Sequence, residues 1–203
     1  MEKYLNNRFL ILYLIPFLSG SLTVFSFQPF NLTIINFLIL PIFFYFILFI
    51  KKKSKSKYRK KPYKKNLFIF GTTFGFGFYL SGIHWITFSL TFDESFKILI
   101  PFALILIPLF LSLFFSITTV LIGPLLNLNI QSIILFSASL AFSDYIRNFV
   151  FTGFPWNFWA YSFSWSTEII QILNNLGLFA TNLLIITIFM LPSSIFMDFR
   201  IAQ

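Results

Sequence analysis

Cysteine is absent from the chain, histidine occurs once, and only six of the 203 residues are acidic. Without thiols these residues can form no disulfide, no thiolate metal site and no cysteine nucleophile. A single histidine, His84, excludes a multi-histidine metal centre, and no metal or cofactor is expected. Charge of either sign is scarce, 10% of the chain, against 58% hydrophobic residues and a mean hydropathy of +0.85. A water-soluble domain keeps much of its exterior polar and could not hide so much apolar side chain. A bilayer supplies the missing apolar solvent.

What is there is long and oily. Phenylalanine alone fills 33 positions. Phe9 to Phe27 and Leu32 to Ile50 are each 19 residues without a charge, and at 1.5 Å per residue each reaches about 28 Å, close to a hydrocarbon core of roughly 30 Å. Uncharged or nearly uncharged runs recur over 67–92, 98–122, 130–150 and 169–197. Backbone exposed to lipid must satisfy its own hydrogen bonds, and the runs lack the short alternating pattern of a barrel. The expected fold is therefore all-α, a single domain of about six membrane helices. Lys3 and Arg8 before an apolar stretch also fit a signal peptide. The run continues to Phe27 and a second span follows at once, which favours a retained first helix.

The net charge of +9 does not point to nucleic acid, because the basic residues are gathered rather than spread. Ten of the 15 Lys and Arg lie between Lys51 and Lys65. Six spans would bring Lys3, Arg8 and Arg200 to the same side, leaving Lys97 and Arg147 opposite. Such asymmetry predicts a cytoplasmic N-terminus and a cytoplasmic 51–65 loop. Contact with anionic headgroups is the sharper reading of that loop.

In lipid the informative residue is the polar one. Gly71 and Gly75 form a GxxxG pair that lets another helix approach closely. His84 follows on the same segment, as a hydrogen-bonded packing residue or a proton relay. Asp144 and Arg147, three apart, can meet on one helix face. That spacing suits a structural ion pair, and equally an arginine that grips a lipid phosphate. Gly153 and Pro155 then break the helix, and Trp156, Trp159 and Trp165 follow as an aromatic belt or as the wall of a lipid pocket.

Taken together, GSLTVFSFQPF, GFGFYLSGIHW, GLFATNLL and above all DYIRNFVFTGFPWNFWAYS resemble the membrane domain of apolipoprotein N-acyltransferases. The family usually has Glu where this chain has Asp144. The resemblance implies a bacterial inner-membrane location, and phospholipid and lipoprotein as substrates. It implies substrate contacts by Asp144, Arg147, Gly153, Pro155 and Trp156. It also implies a nitrilase-like catalytic part with a Glu–Lys–Cys triad, which the 203 residues do not contain. The expectation is a truncated or split member, inactive alone, partnered by a separate catalytic half. A small transporter or a non-enzymatic scaffold is the alternative, with His84, Asp144 and Arg147 as its only intramembrane ionisable groups.

Overall fold

The computed structural model of the protein describes residues 7–54, 61–150 and 153–195. Lys3, Arg200 and the middle of the basic loop fall outside the described residues. The rest is helical, with no strand among them. A π turn, Leu10–Leu14, leads into α1, Ile15–Thr23. A 3₁₀ turn, Thr33–Ile35, opens α2, Asn36–Lys53. α3 is Tyr63–Ile83, α4 is Ile100–Ile122 and α5 is Ile130–Arg147. Two short pieces, α6 (Thr167–Ile170) and α7 (Ile172–Leu176), precede α8, Leu178–Phe189.

Four of these segments are long and apolar enough to cross a membrane: Thr33–Lys53, Tyr63–Thr91, Glu94–Ile122 and Leu178–Ile195. The shorter Leu10–Ser26 and α5 complete a six-membered helical bundle. The segment expected at 169–197 is divided rather than continuous. Its first half is α6 and α7, and Gly177, at φ 78°, separates them from α8. The segment expected at 67–92 starts earlier, at Tyr63, and tightens into a 3₁₀ helix over His84–Thr91. His84 lies at that change, exposed, with Nδ1 2.9 Å from the Ser81 carbonyl of its own helix.

α3 is the central helix, packed against α1 on one side and α4 on the other. Small residues set both contacts. A Cβ added at Gly75 would lie 2.8 Å from the Ser112 Cα of α4, and one at Gly71 would lie 2.8 Å from the Ser116 Cα. Gly20 and Gly77 play the same part between α1 and α3, where a Cβ would run into the Phe74 and Phe17 carbonyls. With backbones this close, hydroxyls bridge the helices: Thr119 Oγ1 donates to Leu67 O at 3.0 Å, and the Thr72 and Ser116 hydroxyls are 2.6 Å apart. The remaining space is filled by phenylalanine. Phe43 of α2 has ring neighbours Phe70, Phe74, Phe115 and Phe136 at 4.3–6.2 Å, within the range in which aromatic pairs attract.

One end of the bundle is basic. Arg8 Nη2 donates to Asn66 Oδ1 at 3.2 Å, and Asn66 Nδ2 to Ser54 Oγ at 2.8 Å. The Lys51 ammonium donates to the Pro124 and Leu126 carbonyls, both at 2.8 Å. Those contacts gather Arg8, Ser54, Asn66 and the α4–α5 turn. The 27–33 turn, His84–Leu99 and residues 153–166 lie at the opposite end. There the Ser95 side chain and backbone N–H bond the Asp93 carboxylate and hold it below the usual range.

Candidate functional site

α5 is preceded by Asn129, whose side chain accepts from the Ser132 N–H at 2.9 Å in an ordinary N-cap. It ends one turn after Asp144, and the last helical residue is Arg147. Both side chains are buried, Asp144 at 7% and Arg147 at 1% exposure. Arg147 Nη2 donates to Asp144 Oδ1 at 3.0 Å. A buried arginine needs more than one acceptor, and the following loop supplies them. Nη1 donates to the carbonyls of Phe154 and Trp156, each at 2.8 Å.

Gly153 makes that geometry reachable. Its φ is 83°, and a Cβ there would collide with the Asn148 carbonyl, so a side chain at this position is strained and obstructed. The backbone turns back at Gly153, Phe154 N–H donates to Arg147 O at 3.3 Å, and the next carbonyls face the guanidinium. Two aromatic rings enclose it, Phe158 at 4.9 Å and Tyr79 at 5.5 Å from the guanidinium carbon.

The second oxygen of Asp144 is also held. Asn182 Nδ2 of α8 donates to Oδ2 at 2.9 Å, and Asn182 Oδ1 accepts from the Ala160 N–H at 3.0 Å. The loop from 154 to 160 is thus fastened at one end by Arg147 and at the other by Asn182, with Asp144 between them. Asn182 lies within the quoted GLFATNLL stretch, but nothing in the sequence marked it as Asp144's partner. A single amide in an apolar helix was the only available signal, and in lipid such a group must find a partner.

The expected site residues divide between two clefts. Pro155 and Trp156, both exposed, line a cleft of 740 Å³ at the end opposite the basic one, with Phe27, Pro29, His84 and Tyr161. Trp156 meets Trp85 edge to face there at 5.3 Å. Burial pushes the Tyr161 phenol up from its ordinary pKa. Arg147 and Gly153 line a separate cleft of 460 Å³ with Phe154 and, from α4, Leu106 and Phe110. Asp144 lines neither. The tryptophans also part company. Trp156 and Trp165 are half exposed, whereas Trp159 is a core residue at 1% exposure, stacked on Phe78 with centroids 5.6 Å apart. Among the described residues no three His, Cys, Asp or Glu side chains could hold a metal ion.

Residues 19–191 match the family model described as the apolipoprotein N-acyltransferase N-terminal domain. The apolipoprotein N-acyltransferase of Bradyrhizobium diazoefficiens is 30% identical over 183 residues, which is 90% of this chain and 33% of that protein. The corresponding protein of Brucella melitensis is 28% identical over 89% of this chain and 34% of its own length. That of Rickettsia bellii is 36% identical over 119 residues, 58% of this chain and 24% of its own. The chain therefore spans about a third of the length of the Brucella and Bradyrhizobium relatives.

Proposed function

Because the chain belongs to the apolipoprotein N-acyltransferase family, we propose that it serves as the membrane-embedded part of acyl transfer from phospholipid to the N-terminus of a lipoprotein. The observation that carries this reading is the family match over 19–191, joined to an aromatic cleft at the end of the bundle opposite the basic one. On this reading the protein lies in the bacterial inner membrane with its basic end in the cytoplasm. Pro155 and Trp156 offer the outer cleft to lipid-borne substrates. Asp144, Arg147 and Gly153 keep the loop that carries them in place, and Arg147 and Gly153 also face lipid from the second cleft.

The thioester step cannot be supplied here, since the 203 residues contain no cysteine. A nitrilase-like part outside these residues is the partner that the reading requires. A transport relay through Asp144 and Arg147 gains no support, because their hydrogen bonds go to each other, to Asn182 and to loop carbonyls.

The test uses purified chain in liposomes with fluorescent phospholipid and a diacylated lipopeptide. No acylation is expected from the chain alone. Co-expression with the nitrilase-like part of a relative should give a complex and restore turnover. Turnover by the chain alone, or failure of the two parts to associate, would overturn the proposal.

A further inference from the structure

Among the described residues, no Asp, Glu, Lys or Arg lines the 740 Å³ cleft at the end opposite the basic one. Its volume falls within the roughly 300–1,000 Å³ common for ligand sites. The two segments that flank it are fastened to each other. Thr33, buried, donates from Oγ1 to Ser162 O at 2.6 Å and accepts from Trp165 Nε1 at 2.9 Å. That joins the 27–33 turn to residues 153–166, so the cleft is preformed. Trp85 and Trp156, each about half exposed, give it an aromatic wall.

The polar side chains of this cleft are neutral and unspent. The Asn182 amide is engaged at both ends, but no hydrogen bond among the described residues engages the side-chain amide of Asn157 or of Gln28, and both line the cleft. Asn157 has φ 56°, a left-handed conformation that asparagine adopts more readily than most residues. A Cβ at Gly82 would collide with its amide nitrogen, so the glycine leaves the room that the amide occupies. His84 adds an acceptor. Its Nδ1 lies 2.9 Å from the Ser81 carbonyl, which can only accept. Nδ1 of the neutral ring therefore carries the proton, and Nε2 is left to accept.

These groups select a ligand by its chemistry. A phosphate would enter without a cation to meet it, and an ammonium without an anion. A side-chain amide carries donor and acceptor side by side, which is what a peptide unit presents in return. Aromatic-lined grooves are a recurring means of holding extended polypeptide. We propose that the cleft binds the backbone of an extended, uncharged peptide segment, with Asn157 and Gln28 pairing with its amides and His84 Nε2 accepting a further N–H. The source of the segment rests on the acyl-transfer reading. On that reading it is the stretch of a lipoprotein that follows the lipidated N-terminal residue, leaving the bilayer at the end where the cleft lies.

The test uses the full chain in nanodiscs loaded with equal amounts of two probes built on the same diacylglyceryl-cysteine. One ends there as an amide. The other continues through Ser-Gly-Asn-Ala and is likewise amidated, so the added residues bring no charge. After transfer to mild detergent, native mass spectrometry counts the probe that stays bound. The longer probe should be retained about tenfold over the shorter, the ratio that one or two net hydrogen bonds give. Methylating each added backbone nitrogen should remove that advantage. Asn157→Gly, which keeps the left-handed backbone and deletes the amide, should bring the two probes within about threefold. Gln28→Leu, at an exposed position, should narrow the ratio likewise and does not depend on the backbone at 157. Equal retention by the unaltered chain overturns the inference, as does an advantage that survives methylation or both folded variants. A neutral glycolipid that displaces the longer probe would assign the cleft to sugar and overturn it too. Equal retention would leave the acyl-transfer reading untouched, and failure of the two parts to associate would leave a tenfold preference standing.

Discussion

Arg147 holds together its own helix, the loop that follows it and a helix remote in sequence. Its guanidinium reaches its own helix through Asp144, the loop through Phe154 and Trp156, and α8 indirectly through Asn182. Removing the guanidinium leaves a carboxylate in the interior with an amide for company. Arg147→Met should therefore cost about 3–5 kcal/mol, the usual penalty for breaking a buried pair on one side. The double variant Asp144→Leu/Arg147→Met should cost less than Arg147→Met alone, because it leaves no uncompensated charge. Thermal unfolding of the four corners of the cycle in detergent would check this, and strict additivity would contradict it. The helical half of this site was legible in the sequence, since residues three apart on a helix share a face. The rest was not. Asn182 stands 38 residues from Asp144 and 22 from Ala160, and no local pattern announces such a pairing.

At the level of elements, the glycines of α3 were the legible signal and the helix ends were not. Small residues one turn apart report a close neighbour whatever that neighbour is, and α4 fills the role. Gly75→Val should separate the two helices and cost about 1–3 kcal/mol, the usual range for overpacking, because the atom it meets is backbone. A lowered melting temperature with retained helicity would bear this out, and an unchanged one would mean that α4 yields freely. Hydropathy could not show that the segment after Ile83 tightens to 3₁₀, nor that 169–197 is interrupted at Gly177. An apolar run signals depth in the membrane rather than which hydrogen-bond ladder the backbone adopts. Trp159 illustrates the same limit. An aromatic residue next to an interface looks the same in sequence whether it meets lipid, as Trp156 can, or Phe78.

For the whole molecule, the gathering of Arg8, Lys51 and Asn66 at one end gives the charge asymmetry a structural basis. Reporter fusions after Lys57 should read cytoplasm, and fusions near Glu94 and Ser164 should read periplasm. Periplasm at Lys57 with cytoplasm at Glu94 would invert the orientation. The Asp144–Arg147 pair also bears on how such a chain enters a bilayer. An arginine or aspartate alone opposes release of an emerging helix from the translocon, by about 2.5–3.5 kcal/mol at its centre and by less toward its end, where α5 carries this pair. Here both charges lie one turn apart on α5, so they can cancel before any neighbour arrives. The segment can partition as a neutral unit, and recruitment of Asn182 and the loop carbonyls becomes a later step of assembly within the lipid phase.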